Sequence, residues 1–371
     1  MADINVTTSA DVTAEQFMDS VFAEYQKKLV TKPYMGQSSE YPIQVSESLM
    51  KRKGDALTFN LAGALVGAGV TGSSTLEGNE EAQNFYGQRV VVDQVRTAIR
   101  IPHMSEQRTP FSIMEQGKPA LAAWLAQKVE SDIFSELASI NGVVLASATE
   151  TQKDQWLDDN LDRVLFGAVG SNTDTAGGGG STGADFSDSL ATIDITNDKF
   201  GTSQILTAKR KAILANPKIR PLRIEGGEEY FVMFVHPECI KDLKEDEAWQ
   251  KAQREAMPRG TNNPIFTGMS GIYDGVIIKE TEYCPLLGTV GASSANVAAS
   301  FLCGAQAILF AQAGTPKGFA SDMVEEEFDY GDKTGVAIRS VYGVKKAAFK
   351  VNDTNPTQHG VVTVFSAYTP S

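Results

Sequence analysis

Cysteine and long hydrophobic runs are both scarce in this sequence. Its 371 residues contain three cysteines, Cys239, Cys284 and Cys303, which lie far apart and show no C-x-x-C spacing. This pattern predicts neither a disulfide framework nor a zinc site, and it suits a reducing cytoplasm. No stretch approaches the roughly eighteen consecutive apolar residues of a membrane-spanning helix. Residues 1–5 also lack the basic start and apolar stretch of a signal peptide, so we expect the protein to remain where it is made.

Net positive charge is lacking as well. The chain carries a formal charge of -13 at pH 7. Because affinity for nucleic-acid backbones comes from clustered lysine and arginine, this balance excludes a protein whose main work is to grip phosphates. Two short basic runs occur, at residues 51–53 and 209–211. The second lies in a helical pattern with apolar residues opposite, which predicts a solvated helix face.

The remaining composition is that of an ordinary globular protein, with 42% hydrophobic and 21% charged residues. A chain of this length has room for two or three domains and buries about three quarters of its unfolded surface. Its core therefore needs no covalent cross-links for stability.

Residues 55–102 have the pattern of a long β-hairpin. The outgoing run at residues 56–61 alternates apolar and polar side chains, and the return run at residues 90–101 is rich in β-branched residues. A polar tip separates the runs and contains Gly63, Gly67, Gly69, Gly72 and Gly78. An isolated two-stranded hairpin is only marginally stable in water, and this one has little apolar surface to bury on its own domain. We therefore expect it to be ordered by lying on a neighbouring subunit.

Two amphipathic helices are predicted in the first half of the chain. Residues 13–16 match a capping box, and Phe17, Val21, Tyr25 and Leu29 follow at helical spacing. A longer helical pattern begins at residues 109–110 and continues to residues 141–142, which predicts a helix of about 45 Å. Such a helix suggests a structural spine with a sheet along one side, and its spine residues are Leu121, Trp124, Leu125, Val129, Ile133 and Leu137.

The second half of the chain alternates strands and helices. We predict a strand or turn at residues 162–167, a low-complexity glycine-rich loop at 171–185, a helix at 202–215, and a strand at 229–236 that runs into a helix. Further strands are predicted at residues 275–279, 300–311 and 336–350. This order indicates an α+β fold without internal repeats.

Two glycine motifs resemble catalytic or binding signatures but lack their structural context. Residues 67–72 match G-x-G-x-x-G, with Asp93 beyond them, yet no helical period opens there to present amide groups to a pyrophosphate. Residues 179–183 match G-x-S-x-G inside a glycine run, whereas a nucleophile elbow requires a buried strand before it and a helix after it. Both matches are interpreted as coincidental.

No metal or catalytic constellation is predicted. His103, His236 and His359 are isolated and are interpreted as capping or surface residues. Carboxylates at residues 325–327 and at positions 242, 245 and 246 form no D-x-D-x-D-G loop, so solvated faces are expected. No P-loop is present either. We therefore expect no catalytic residue, no cofactor and no metal.

Five short stretches carry a family resemblance in combination: LEGNEE at residues 76–81, HMSEQRT at 103–109, RVLFG at 163–167, NPIFTG at 263–268 and YDG at 273–275. Together with the order of arm, hairpin, spine helix, central α+β region and returning strands, they resemble the tailed-phage major capsid protein with the HK97-type fold. The sequences of these stretches resemble most the N4-like branch of that family. The resemblance covers roughly residues 50–350.

The resemblance implies a division of the chain into named parts. Residues 1–50 would be an N-terminal arm, residues 51–102 an extended E-loop hairpin, and residues 103–150 a P-domain with the spine helix. Residues 151–322 would form an A-domain with adjoining P-domain segments and the glycine-rich loop, and residues 323–371 would return to the P-domain and end in a C-terminal strand.

The resemblance also implies a non-enzymatic function. The protein would assemble with itself into hexamers and pentamers that form the icosahedral head of a tailed bacteriophage. It would enclose double-stranded DNA without sequence-specific binding, contact scaffolding, portal and decoration proteins but no membrane, and assemble in the cytoplasm of the host bacterium. Its hairpin would lie over the adjacent subunit, where Glu77, Glu80 and Glu81 would face Arg96 and Arg100. The alternative is that these five charges are merely solvated.

One departure from the wider family concerns a covalent bond. Some members link their subunits through a lysine of the hairpin, but no lysine occurs here between Lys53 and Lys118. We therefore expect a shell without that cross-link. Two other functions remain open: an encapsulin-like compartment with the same fold, and a cytoplasmic nucleotide-binding enzyme that uses residues Gly67 to Gly72.

Overall fold

The structure is a computed structural model that describes residues 30–50, 54–62, 69–72, 75–78, 80, 85–108, 113–168, 185–223, 229–255, 271–315, 320–349 and 356–370. The helices of these residues are α1 (His103–Arg108), α2 (Ile113–Leu137), α3 (Glu150–Asp159), α4 (Phe186–Ala191), α5 (Thr202–Leu214), α6 (Pro237–Glu245) and α7 (Glu247–Glu255). None of them is long and apolar enough to cross a membrane.

The strands of the described residues are β1 (Met35–Gly36), β2 (Ile43–Leu49), β3 (Ala56–Ala62), β4 (Phe85–Val91), β5 (Asp93–Pro102), β6 (Val164–Phe166), β7 (Leu222–Arg223), β8 (Glu229–Val235), β9 (Ile272–Tyr273), β10 (Val276–Glu280), β11 (Leu286–Gly288), β12 (Val297–Cys303), β13 (Ile308–Ala313), β14 (Ser321–Phe328), β15 (Lys333–Lys346), β16 (Ala348–Phe349), β17 (Thr357–Gln358) and β18 (Val361–Ala367). Helices and strands mix along the chain, which confirms the predicted α+β class.

An eight-stranded mixed sheet forms the centre of one half of the molecule. Its order is β6-β18-β12-β8-β10-β9, with β11 beside β12 and β7 beside β8. The central strands are buried on both faces, which is why they read as continuous apolar runs. Helices α2, α3 and α4 pack on one face. Helices α5, α6 and α7 pack on the other face.

A six-stranded sheet forms the other half. Its order is β1-β2-β13-β15-β14, and β5 pairs with the edge of β15 opposite to the one that β13 and β14 occupy. The long strand β15 therefore joins three neighbours. Its inner face carries Val336 and Ile338, which are fully buried against the same core as α2.

Helix α2 lies between the two sheets and contacts both. Phe134 packs edge-on against Phe234 of the eight-stranded sheet, with ring centroids 5.3 Å apart. On the other side, the Tyr342 hydroxyl of β15 donates a hydrogen bond to the Asp132 carboxylate at 2.8 Å. One sheet was predicted along one side of the spine helix. This prediction is wrong, because two sheets pack against the helix.

Five of the six predicted spine residues are buried in this shared core. Leu125, Val129, Ile133 and Leu137 have no exposed surface, and Leu121 is 4% exposed. Trp124 is only partly buried. The helix ends at Leu137, four residues before the predicted end, and spans about 37 Å.

Several other predicted elements match the structure closely. The helix predicted at residues 202–215 is α5, and the strand predicted at 229–236 is β8, which leads into α6. The single strand predicted at residues 300–311 is wrong. The chain turns at Gln306, whose φ is +54°, and strands β12 and β13 enter different sheets. The capping box at residues 13–16 and most of the glycine-rich loop lie outside the described residues.

The predicted domain boundaries cut across the sheets. Strand β13 belongs to the six-stranded sheet although it precedes residue 323, and β18 belongs to the eight-stranded sheet although it follows that residue. The division into arm, hairpin, P-domain and A-domain stays a prediction.

Candidate assembly interface

The predicted hairpin is present, and its base consists of β3 and β4. The two strands pair antiparallel over seven residue pairs, from Ala56 with Val91 to Ala62 with Phe85. The return run was predicted as one strand over residues 90–101, and this is wrong. The chain changes sheets at Val92, so that β4 pairs with β3 whereas β5 pairs with ten residues of β15.

One face of the hairpin base is covered by its own chain. Phe59, Leu61, Gln88 and Val90 alternate along the two strands and are at most 7% exposed. Phe59 and Val90 pack in a small core with Leu309, Ala311 and Ala347 of the six-stranded half. The hairpin was expected not to pack on its own domain. This expectation is wrong for the hairpin base.

A glycine on β15 permits this close approach. A Cβ added to Gly343 would lie 2.1 Å from the Val91 carbonyl oxygen, so no larger residue fits under the hairpin without moving it. Glycine inside a strand commonly marks such an approach of another backbone. The hairpin base is thus seated against β15.

The hairpin is also joined to the spine helix through Lys346, at the end of β15. The Gln88 side chain of β4 donates to the Lys346 carbonyl at 2.7 Å and accepts from the Ala348 amide at 2.9 Å. The Lys346 ammonium group in turn donates to the carbonyls of Leu137 at 2.9 Å and Ser139 at 2.6 Å. These are free carbonyls at the C-terminal end of α2, where a cation is stabilising. A single buried lysine therefore connects the hairpin base to the end of the spine.

Lys346 makes stability depend on pH. Burial lowers the pKa of Lys346 from its ordinary value of 10.5 to about 7 in the folded chain. Between these two values the unfolded chain binds more protons than the folded chain, so the free energy of unfolding rises with pH across this window. Above the ordinary pKa both states are neutral and no further gain follows.

The substitution Lys346→Met removes this titration. From pH 7 to pH 9, we expect the unfolding free energy of the parent subunit to rise by about 2 kcal/mol relative to that of the variant. Urea unfolding of unassembled subunits at the two pH values measures this difference. Equal pH dependence in the parent and the variant would show that Lys346 does not titrate in this range.

The opposite face and the tip of the hairpin are open. Phe85 is 70% exposed and Val91 is 58% exposed, and both point away from the covered face. In the described part of the tip, Gly69, Gly72 and Gly78 have φ values of +68°, +71° and +87°, which only glycine adopts without strain. A Cβ added at any of these three glycines meets no atom within 4 Å. At these positions the tip stands clear of its own chain.

The predicted charges occupy two separate surfaces. Glu77 and Glu80 are exposed on the tip, and the Glu80 carboxylate accepts a hydrogen bond from the Gly78 amide at 2.7 Å. Glu81 lies outside the described residues. Arg96 and Arg100 are exposed on the same face of β5 and so belong to the six-stranded sheet, not to the hairpin. Among the described residues, no ion pair joins the two sets.

The two arginines share rows of that sheet with Arg339 of β15 and with the acidic residues Asp322 and Glu326 of β14. Arg96 lies directly opposite Arg339 of β15, and the Arg339 guanidinium forms a bidentate pair with the buried Asp322 of β14. The guanidinium of Arg100 lies 4.4 Å from the ring centroid of Phe328, an arrangement that holds the cation flat on an aromatic face. Arg100 is therefore held by a contact, and Arg96 is exposed on the same face of β5.

The rival nucleotide site has the wrong architecture. A dinucleotide fingerprint joins a strand to a helix and a second, parallel strand. Here the glycine segment joins β3 to β4, which are antiparallel, and residues 69–72 and 75–78 are not helical. This arrangement does not match a dinucleotide fingerprint in the described part of the segment.

Three carboxylates lie together and each has a structural partner. Glu150, Asp154 and Asp185 bring oxygens within 4.8 Å of one another. Glu150 pairs with Lys153, Asp154 accepts from the Phe186 amide at 2.9 Å, and Asp185 caps α4. The cluster fixes the start of α4 against α3.

Several polar residues expected at the surface are structural. His236 caps α6 as predicted. His359 is buried against Phe349, and burial lowers its pKa to about 4, so its predicted surface position is wrong. Asp242 is 4% exposed and accepts from the Thr369 amide, whereas Asp246 accepts from Thr202 at the start of α5. These two carboxylates are not the solvated faces that were predicted.

The basic run at residues 209–211 is only partly solvated. The Lys211 ammonium group donates to the carbonyls of Leu161 and Val164, and burial lowers its pKa. Lys209 pairs with Asp274 at 2.9 Å. Lys209 and Lys211 therefore hold α5 against two loops. Because both lysines already have partners in the chain, less positive charge is available to bind other molecules.

The RVLFG stretch also has a packing role. Arg163 is fully buried and donates to Asp162 at 2.6 Å and to the Pro217 carbonyl. Gly167 has a φ of +63°, and a Cβ there would lie 2.3 Å from the Asp198 carboxylate. The stretch thus requires its particular residues to position β6 at the edge of the eight-stranded sheet.

Comparison with known proteins identifies the family. The model of the phage capsid protein family matches residues 5–369. The chain belongs to the phage capsid protein family. It is 30% identical over 354 residues to the major capsid protein of Pseudomonas phage KPP25, covering 87% of this chain and 86% of that protein.

Two solved capsids share the architecture of this capsid protein. The capsid of cyanophage Pam1 has a TM-score of 0.79 at 29% identity and covers 92% of both chains. The capsid of Ralstonia phage GP4 has a TM-score of 0.70 at 25% identity, covering 91% of this chain and 90% of that one. The predicted HK97-like fold is confirmed, and the chain is a major capsid protein of a tailed bacteriophage. The N4-like branch stays a prediction.

Proposed function

We propose that this capsid protein assembles with itself into hexamers and pentamers, and that the open tip of each hairpin lies on the six-stranded sheet of the adjacent subunit. The resulting icosahedral shell encloses double-stranded DNA. In this role the protein has no catalytic activity, and scaffolding, portal and decoration proteins act with it. It assembles in the cytoplasm of the host bacterium.

The observation that carries this proposal is the contrast between the two ends of the hairpin. The base is seated on its own β15 by Phe59, Gln88 and Val90, so its direction is fixed by the subunit. A Cβ added at the described glycines of the tip would meet no atom within 4 Å. A rigid arm with an open tip makes a head-to-tail contact with the next copy, and such contacts close into rings when the rotation allows it.

Charge gives this contact a direction. Glu77 and Glu80 are acidic at the tip, and Arg96 and Arg100 are basic on the exposed face of β5. Exposed pairs contribute little energy each, so their main effect is on register and on the choice of partner. Apolar groups on the open face, such as Phe85 and Val91, supply area for burial.

The net charge also suits a container. A protein with a formal charge of -13 does not attract phosphate backbones over most of its surface. A mostly acidic inner wall lets packaged DNA move without adhering to it. Such a wall suits enclosure of DNA without sequence-specific binding.

A charge exchange tests the proposal. The tip variant Glu77→Lys with Glu80→Lys places like charges against the arginines, so we expect few closed shells or hexameric rings by negative-stain microscopy. The sheet variant Arg96→Glu with Arg100→Glu should fail in the same way. The chain that carries all four changes restores opposite charges and should recover assembly.

The four-fold variant is the internal control, because lost folding would not be repaired by further substitutions. Recovery of shells supports contact between the tip and the β5 face. Normal shells from both double variants would overturn this placement of the charges, and a parent protein that remains a monodisperse monomer would overturn the proposed function itself.

The absence of lysine between Lys53 and Lys118 predicts a noncovalent shell. Mature particles boiled in denaturant should therefore run as single chains of about 39.9 kDa on a gel. A ladder of covalent multimers that survives reducing agent would contradict this prediction.

A further inference from the structure

A continuous groove runs along the spine helix and has no described occupant. It lies between α2 and residues 280–290, and it consists of two adjoining cavities of about 480 Å³ and 740 Å³ that share Tyr283. Ala123, Ala126 and Glu130 line the smaller cavity, and Phe134 and Ala138 line the larger one. One side of α2 is thus accessible over about four turns.

The groove exposes apolar side chains in its larger cavity. Val144 is 51% exposed, Leu286 is 45% exposed and Val290 is 40% exposed, and all three line this cavity. Contiguous exposed apolar surface of this kind usually marks a binding surface. The occupant must therefore offer an apolar face.

The chain itself enters the groove at Val30. The Val30 side chain lines the smaller cavity, and its amide donates to the Glu130 carboxylate of α2. The Thr31 amide donates to the same oxygen at 3.3 Å. Residue 29 is therefore delivered to the groove without any intervening linker.

The residues that precede Val30 have the required apolar face. Phe17, Met18, Val21, Phe22, Tyr25 and Leu29 recur at spacings of three and four residues after the capping box at residues 13–16. In a helix that ends at Leu29, the distance from Leu29 back to Val21 is about 12 Å, and the distance along the spine from Glu130 to Ala138 is also about 12 Å. A helix that enters the groove at Val30 therefore brings Val21 opposite Ala138.

Charges near Val30 are complementary to this segment. Glu130, Glu280 and Glu282 line the smaller cavity. Burial raises the pKa of Glu130, and the charge of Glu282 raises it further, so a nearby cation would be stabilising. Lys27 and Lys28 directly precede the point of entry and supply that cation at the C-terminal end of the segment.

We propose that residues 13–29 form an amphipathic helix that packs into this groove of the same chain, with its apolar stripe on the face of α2 and its lysines beside Glu130 and Glu282. The arm then completes the core along the spine. This inference concerns the single subunit and goes beyond assembly of the shell.

Thiol labelling of full-length, unassembled subunits tests the proposal. The native cysteines are buried, and burial raises the pKa of Cys239 and Cys303 to about 12, so they react slowly. The substitution Leu286→Cys places a reactive thiol in the groove. The matched control Leu214→Cys, which replaces a side chain 71% exposed on α5, lies on the opposite face of the eight-stranded sheet.

With the natural arm, we expect the Leu286→Cys thiol to react with maleimide much more slowly than the Leu214→Cys thiol. The arm change Val21→Asp with Phe22→Asp should raise the rate at position 286 to that of the control and leave position 214 unchanged. Equal rates at position 286 with and without the arm change would overturn the proposal.

A disulfide test distinguishes the same chain from a second copy. A chain that carries both Val21→Cys and Ala138→Cys should oxidise to a monomer with altered mobility. A mixture of chains that each carry one of these substitutions should give no heterodimer. A heterodimer would overturn docking within one chain and would assign the groove to the arm of a neighbour. Both tests are read on subunits, so they do not depend on whether shells form.

Discussion

A chain in which residues 63–84 are replaced by the two-residue turn Asn-Gly should fold normally and fail to assemble. Ala62 and Phe85 form the last pair of the hairpin base, so a tight two-residue turn closes β3 onto β4. The contacts of Phe59, Gln88 and Val90 with the six-stranded half remain. Only the tip, which we propose reaches the neighbour, is lost. Negative-stain microscopy and sedimentation should show subunits without shells.

The unfolding free energy of the same variant serves as its control. We expect it to lie within about 1 kcal/mol of the parent value, since the described glycines of the tip leave open space at their Cβ positions and the core contacts of the base are kept. Shells of normal size from this variant would contradict the proposed role of the tip. A variant that does not fold would show instead that the tip stabilises its own subunit.

The substitution Leu125→Ala should destabilise the isolated subunit by about 2 to 5 kcal/mol. Leu125 is fully buried where α2 meets both sheets, so the shortened side chain leaves a cavity that neither sheet can close. A loss of this size is a large fraction of the stability of an ordinary domain. Urea unfolding of unassembled subunits measures it.

The neighbouring substitution Trp124→Ala provides a matched comparison. Trp124 is larger but only partly buried, so we expect its loss to cost less than that of Leu125. The sequence pattern alone gave no reason to separate the two positions. A greater loss at Trp124 than at Leu125 would contradict the placement of α2 between the sheets.

Local patterns predicted the elements that depend on local chemistry. The helical period from Leu121 to Leu137 identified α2, and the alternation at residues 56–61 identified β3. The glycines at positions 69, 72 and 78 indicated a tip, and all three adopt positive φ. In each case a periodic or conformational requirement is visible in the sequence itself.

The failures concern partners that are distant in sequence. Nothing at Val92 marks the change of sheet between β4 and β5, because the change is imposed by pairing with β15, more than 200 residues later. Gln88 and Lys346 look like ordinary polar strand residues, and their hydrogen bonds also span long separations. Gly343 offered the clearest missed signal, since a glycine in a β-branched run suggests a close backbone approach.

The wrong expectations about charged residues have a similar cause. Lys211 was assigned to a solvated face because its helix is amphipathic, and Asp242 and Asp246 were assigned to one because they form no calcium-binding loop. Each is fixed by backbone groups of another element, Thr369, Thr202 and Val164 respectively. Helical periodicity indicates which face is apolar, but it does not show which loop ends lie against the polar face.

The central claim is that the tip of the hairpin finds its contact surface on the next copy of the chain. Electron cryo-microscopy of assembled particles tests it most directly, at a resolution that traces residues 63–84. We expect these residues on the β5 and β15 face of the adjacent subunit, with Glu77 or Glu80 near Arg96 or Arg100. A tip folded back onto its own subunit, with no neighbour in contact, would contradict it.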